Sequence, residues 1–433
     1  MIIVHKLYLR CFFFAFCKII LAFQKNLHYN VSILDKGGET YMKKFTALLL
    51  SLVMVLACVV SASAEDTIRI GVFEPSSGDN GAGGKQEVIG IEYANSLRPT
   101  VDVNGTTYKV ELVIVDNQSA TDKAVTAAQS LVSSDVSIVL GSYGSGVSMA
   151  GGDVFAEGQI PAIGVSCTNP NVTLLCDYYW RICFLDPFQG SVMANFATDK
   201  GCKKAYVLTM LGEDYGNGLG YYFTEAFKGL GGEIVSETFP EGTSDFSAYL
   251  NNAMKEGCDV VFAPCATTYA SLIIDQAASL NVTFPLMAGD TWESSVILDA
   301  AKGKNIDVYV STFFAEDETN PAAVEFVNGF KAWLNANPDK MTNNGGNDIV
   351  AAVSVLGFDA YNVALAAIEA AGSGDSAAIA EALPSVTYTG VTGSISFDEN
   401  GDANKDMAYI KKANTETGTF DFEKTQTVAS LEK

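Results

Sequence analysis

Gly141 to Val154 reads GSYGSGVSMAGGDV, follows the apolar run SIVL, and holds five glycines and three serines with no charge before Asp153. Glycines at the end of a buried strand let the backbone approach a ligand closely. A helix starting there turns free N–H groups and the positive end of its dipole toward it. With Ser145 and Ser148 adding hydroxyls, this loop is suited to capturing a carboxylate. It is neither GxGxxG nor followed by Gly-Lys-Ser/Thr, which argues against a phosphate loop. A tight turn with close helix packing would leave the same composition. Ser166-Cys167-Thr168-Asn169-Pro170 follows PAIGV at an equivalent place, where Thr168 could reach the same carboxylate or make an ordinary Ser/Thr turn. In GEDYGNGLG, Tyr215 precedes a Gly-rich helix start, as a lid over a ligand or as an exposed turn residue. FPLMAG ends in Asp290, which would bind an ammonium group or cap a helix, and Trp292 would supply an apolar wall or belong to the core.

Other chemistries lack their residues. Both histidines, His5 and His28, precede an export-signal pattern, so the chain beyond it has none. A Ser-His-Asp triad, a Cys-His pair and a His-ligated metal are thereby excluded. An enzyme would have to work with carboxylates alone, such as Glu213 with Asp214, and no partner group is evident. DENGDANKD, Asp398 to Asp406, has its Gly at the wrong place for a calcium loop and Tyr409 in place of the terminal Glu, so it reads as a turn. No metal or other cofactor is expected. Beyond residue 64 only Arg69, Arg98 and Arg181 remain for bidentate anion capture.

The elements that must position these loops begin after the signal. Met42 to Ala64, MKKFTALLLSLVMVLACVVSASA, has a basic start, an apolar stretch and an A-S-A end, as a signal peptide does. Residues 1–41 then read as translated upstream sequence, since Lys36-Gly37-Gly38-Glu39 can be encoded by codons containing AGGAGG shortly before Met42. A membrane anchor is disfavoured because Arg10 and Lys18 interrupt LYLRCFFFAFCKIILAF and leave no span of about 20 apolar residues. Val55-Leu56-Ala57-Cys58 is an imperfect lipobox, which keeps lipidation of Cys58 open. The first 64 residues carry 7 of the 27 basic and 2 of the 50 acidic side chains, so the remainder has a net charge of −28. Nucleic acid is therefore not expected as a partner. Six cysteines remain, Cys167, Cys176, Cys183, Cys202, Cys258 and Cys265, with no CxxC spacing. Cys202 and Cys258 each precede a strand-like run and would bridge or remain thiols.

From Ile68, short apolar runs alternate with amphipathic ones: IRIGVF, KVELVIV, SIVLGS, PAIGVS and YWRICF, then AYVLTM, EIVSETFP, DVVFAP, FPLMAG and VYVSTFF. That alternation predicts βαβ units in two similar parallel-sheet α/β lobes, at 65–188 and 189–314. The long helix-like stretches of 315–388 should return mainly to lobe I, and 389–433 should supply strands toward lobe II, making a hinge of several crossings.

Taken as a set, IRIGVFEPSSG, GGKQEVIGIEYA, GSYGSGVSMAGGDV, IPAIGVSCTNP, DYGNGLG, LMAGD, FDAYNVALAAIEAAGS and GVTGSISFDENGD come in an order that resembles the leucine/isoleucine/valine-binding protein family. These are type I solute-binding proteins of ABC importers, and the likeness spans nearly all of residues 66–412. The resemblance implies an exported monomer that closes on an amino acid and delivers it to a membrane permease; a sensor module signalling to a receptor is the alternative. It implies that Ser145 and Thr168 hold the carboxylate, Ser166 contributes its backbone, Tyr215 closes as a lid, and Asp290 pairs with the ammonium group where branched-chain binders have Glu. Two departures stand out: Gly83 replaces a first-loop tyrosine, and Ala266 or Thr267 stands where a second-lobe tyrosine is expected. They imply an altered and larger side-chain pocket.

Overall fold

The structure is a computed structural model, and it describes residues 67–316 and 320–427. The upstream extension and the signal peptide with Cys58 lie outside the described residues.

In the first lobe the apolar runs become β1 (Thr67–Glu74), β2 (Thr100–Val103), β3 (Thr106–Asp116), β4 (Ile138–Leu140), β5 (Ala162–Gly164) and β6 (Tyr179–Arg181), in the order β2-β3-β1-β4-β5-β6. From β3 to β6 every neighbouring pair is parallel. The short β2 runs antiparallel to β3. Its turn, Asn104-Gly105, has φ of 50° and 82°, the left-handed pair a tight hairpin needs and that Asn-Gly adopts readily. The second lobe contains β7 (Lys204–Met210), β8 (Glu233–Phe239), β9 (Val260–Phe262), β10 (Leu286–Ala288) and β11 (Val308–Thr312). A hairpin of β12 (Thr387–Gly390) and β13 (Gly393–Ser396) stands apart. Then β14 (Met407–Asn414) and β15 (Thr419–Thr427) complete the second sheet, ordered β15-β14-β11-β10-β9-β7-β8.

In an open parallel sheet the crevice forms where neighbouring strands send their connections to opposite faces, beyond the strands' carboxyl ends. In lobe I that place lies between β1 and β4, at Glu74 and Gly141. In lobe II it lies between β7 and β9, beside Tyr215 and Thr267.

The chain passes between the sheets three times, at 182–185, after β11, and at 403–406. After the second passage, helix Pro321–Ala336 packs on lobe I: Tyr93 meets Phe326, Phe330, Trp333 and, from the next long helix, Phe358, with ring centroids 5.4–5.8 Å apart. Helix Ala352–Ala371 is long and apolar enough to cross a membrane, yet is mostly buried against helix Gly81–Leu97 of lobe I. The two approach so closely that a Cβ on Gly90 would lie 2.0 Å from the Ser354 carbonyl. The boundary expected at 389 shifts. Asp359 of the long helix accepts hydrogen bonds from Val391 N–H (3.0 Å) and from Thr392 N–H and hydroxyl (2.8 and 2.6 Å), which ties the β12–β13 hairpin to lobe I. Only from Met407 does the chain join the second sheet. A cavity of about 590 Å³ opens on the hinge, lined among others by Ile182, Phe184, Phe313, Lys405 and Tyr409.

Because β7 pairs with β9, Cys202 and Cys258 line one surface hollow. All six cysteines named above are free thiols.

Candidate functional site

Ser145 is the first residue of helix Ser145–Gly158, is 1% exposed, and accepts a hydrogen bond from Asn169 N–H at 3.3 Å. The acceptor role leaves its hydroxyl proton free to donate. Ser148 is turned onto its own turn instead, bonding the Gly144 and Ser142 carbonyls at 2.8 and 3.3 Å. Ser166 donates its hydroxyl to Glu87 Oε1, and the buried Thr168 hydroxyl faces the Asp186 carboxyl.

Across the crevice, Asp290 is 2% exposed and its Oδ1 accepts from Gln189 Nε2 (2.9 Å) and Tyr215 OH (3.1 Å). It caps no helix. Burial pushes its carboxyl up to about 6, against the pull of the Gln189 and Tyr215 hydrogen bonds. Tyr215 is buried rather than an exposed turn residue, and Thr291 Oγ1 adds a bond to its hydroxyl at 3.3 Å. Trp292 belongs to the lobe II core, its Nε1–H donating to the Cys265 carbonyl at 3.1 Å. Glu213 caps helix Asp214–Gly229 by accepting from Tyr215 N–H at 3.1 Å and from Gly216 N–H. Burial pushes Glu213 up to about 7 and Asp186 up to about 8.

Several functional-looking groups escaped sequence reasoning. Glu74 ends β1 in the crevice, 1% exposed, and its Oε2 accepts from Tyr143 N–H at 2.8 Å. Glu87, fully buried on helix Gly81–Leu97, lies within reach of Glu74. Burial, then the charge of Glu87, push Glu74 well above the usual carboxylate range. Glu87 rises to about 7, mainly by burial, with Asp290 adding to the rise. A signal was present: the rule that sets Asp290 facing the crevice from the end of its strand applies equally to Glu74. Tyr143 was the other omission. A Cβ on Gly83 would sit 2.3 Å from its ring, so the space freed by the missing first-loop tyrosine is filled by an aromatic from the loop after β4. This corrects the expectation of a larger pocket on that side. At the second departure, Thr267 starts helix Thr267–Ser279 and gives its hydroxyl to the Asp79 carbonyl at 3.2 Å.

Contacts cross between the lobes throughout. Tyr143 OH donates to Thr291 O (3.4 Å), Asn169 Nδ2 to Asp214 O (2.9 Å), and Thr268 Oγ1 to Asp79 O (3.2 Å). Behind them, Arg181 is fully buried and pairs with Asp402. It also donates to the Cys167, Asn169 and Pro170 carbonyls and to Thr173 Oγ1, at 2.6–3.2 Å. Arg181 thus shapes the loop that carries Ser166 and Thr168 and is unavailable to a ligand. At the hinge Glu293 accepts from Lys411, Thr312 and Ala352 N–H. The Asp398–Asp406 segment is a turn that accepts Asn400 and Asp402 N–H on Asp398, and no metal-holding group of side chains occurs among the described residues.

Residues 67–416 match the model of a family described as periplasmic binding protein. The chain is 28% identical over 359 residues to Leu/Ile/Val-binding protein homolog 1 of Brucella melitensis, covering 81% of this chain and 91% of that protein. Among solved structures it resembles the leucine binding protein LivK of Thermotoga maritima, at 32% identity and a TM-score of 0.73, with 83% of this chain and 99% of that one covered. It also resembles the branched-chain amino acid transporter substrate binding protein LivJ of Streptococcus pneumoniae in complex with isoleucine, at 27% identity and a TM-score of 0.71, with 84% and 99% covered.

Proposed function

Since the chain belongs to the periplasmic binding protein family, we propose that it is exported, captures an amino acid between its lobes and delivers it to the permease of an ABC importer. The observation that carries this reading is the opposition of two complementary ends. Asp290, buried and braced by Gln189 and Tyr215, is a fixed negative charge for an ammonium group. The N-terminus of helix Ser145–Gly158, with the Ser145 hydroxyl, is a donor site for a carboxylate. In this reading Thr168 adds a second hydroxyl, Ser166 a main-chain contact, and Tyr215 closes over the ligand from lobe II. Contacts to both lobes exist only when the lobes meet, so binding favours the closed form. Leucine and isoleucine, bound by relatives, set the reference size.

The test is a thermal-shift screen of the purified protein against the twenty amino acids, urea, short amides and aromatic acids. A ligand at about a hundred times its Kd adds about 2.7 kcal/mol of stability, which moves the melting temperature visibly. Shifts with one or a few amino acids, abolished by Asp290→Ala, support the reading. Shifts confined to compounds lacking an amino group overturn the role given to Asp290.

A further inference from the structure

Resting on the amino-acid reading above, we propose that the ligand carries a second positive charge on its side chain, held by Glu74 and Glu87, and so belongs to the ornithine, lysine and arginine class. Glu74 and Glu87 lie in the lobe I half of the crevice, 1% and 0% exposed. One oxygen of each is engaged by protein donors, Tyr143 N–H on Glu74 Oε2 and the Ser166 hydroxyl on Glu87 Oε1. Among the described residues, no donor other than the neighbouring carboxyl of the pair reaches Glu74 Oε1 or Glu87 Oε2. Beside Asp290, the fully buried Gln189 has its amide nitrogen on Asp290 and Ser311 and its carbonyl oxygen without a partner. These three atoms are acceptors, and a group that brings N–H donors would complete them.

Among the described residues no cation is supplied here. Arg69 pairs with Glu111, Arg98 with Glu369 and Arg181 with Asp402, while Lys411 is taken by Glu293. Among the described residues none of Glu74, Glu87 or Asp290 has a lysine or arginine partner. An uncompensated buried carboxylate is costly, and so is a pair of them side by side. A leucine side chain laid against this pair would exclude water and satisfy neither oxygen. Asp290 can compensate one ammonium group. A ligand with only that group leaves the Glu74–Glu87 pair to share a proton, whereas a side-chain ammonium or guanidinium gives both an ionic partner. Glu87 belongs to lobe I and Asp290 to lobe II, so the two positive groups would be held from opposite lobes.

The test is isothermal titration of the purified protein with L-ornithine, L-lysine, L-arginine and L-leucine. At least one basic amino acid should bind about 100-fold more tightly than leucine, in the range expected for a desolvated charge pair. The isosteric double variant Glu74→Gln with Glu87→Gln should lose about that factor for the basic ligand. Tighter binding of leucine than of any basic amino acid to the wild-type protein overturns the inference while leaving the amino-acid reading in place. So does full retention of basic-ligand affinity in the double variant. Absence of binding by all four, with no amino acid active in the thermal-shift screen, removes the amino-acid reading itself.

Discussion

Asp290→Asn should make the ligand-free protein more stable at neutral pH while weakening amino-acid capture. Burial lifts the Asp290 carboxyl from 3.8 to about 6. Between those values the folded protein keeps a proton that the unfolded chain has released. Fewer protons are then bound in the unfolded state, so stability falls as pH rises through the window and levels off above it. A difference of about two pKa units corresponds to about 3 kcal/mol. Asparagine keeps an oxygen for the Gln189 and Tyr215 donors, at 2.9 and 3.1 Å in the wild type, and has no charge to bury. Urea unfolding followed by circular dichroism, on protein stripped of small molecules by dialysis from urea, measures the effect directly. The two proteins should match near pH 4, and the variant should lead by about 3 kcal/mol at pH 7.5. Parallel pH profiles, or a variant less stable at pH 7.5, would refute the reasoning.

Two further outcomes follow from packing. Arg181→Leu strands Asp402 and three loop carbonyls in the interior, so it should destabilise the fold by about 3–5 kcal/mol. Adding Asp402→Leu should recover only part of this, because the carbonyls stay unmatched; full recovery in urea unfolding would show that the ion pair alone matters. Gly90→Ala drives a methyl to 2.0 Å from the Ser354 carbonyl, so the melting temperature should fall by an amount equivalent to about 1–3 kcal/mol, with unchanged far-ultraviolet dichroism.

The strands of both lobes were legible because each is a short apolar run between turn-forming residues, and a run of buried β-strand is apolar on both faces. The hairpin partner β2 was not, since TVDV is brief and half exposed and only Asn104-Gly105 marks its turn. Sequence order placed the turn and second strand of the β12–β13 hairpin with the strands that follow it. The Asp359 contacts that bind it to lobe I join residues more than 30 positions apart, which no local pattern encodes. Within the crevice, Ser145, Ser166, Thr168, Tyr215 and Asp290 sit at strand-to-helix loops, where topology predicts a ligand. Glu87 went unnoticed because an acid on an amphipathic helix is ordinarily a solvated residue. Only the packing of helix Gly81–Leu97 against Ala352–Ala371 shows that this one is enclosed. Tyr143 was hidden in a loop read for its glycines and hydroxyls.

The interleaving of the two lobes bears on when the chain can acquire its fold. Lobe I begins at Thr67 yet lacks its packing partner until Ala352–Ala371 has been made, and the edge of β11 stays open until β14 is synthesised at Met407. Both lobes can complete their cores only late in synthesis, because the closing pieces of both lie in the carboxyl-terminal part of the chain. Early segments must wait across long sequence separations, which slows collapse to the native topology. For a polypeptide threaded through a membrane before it folds, that delay extends the interval during which it can still be translocated.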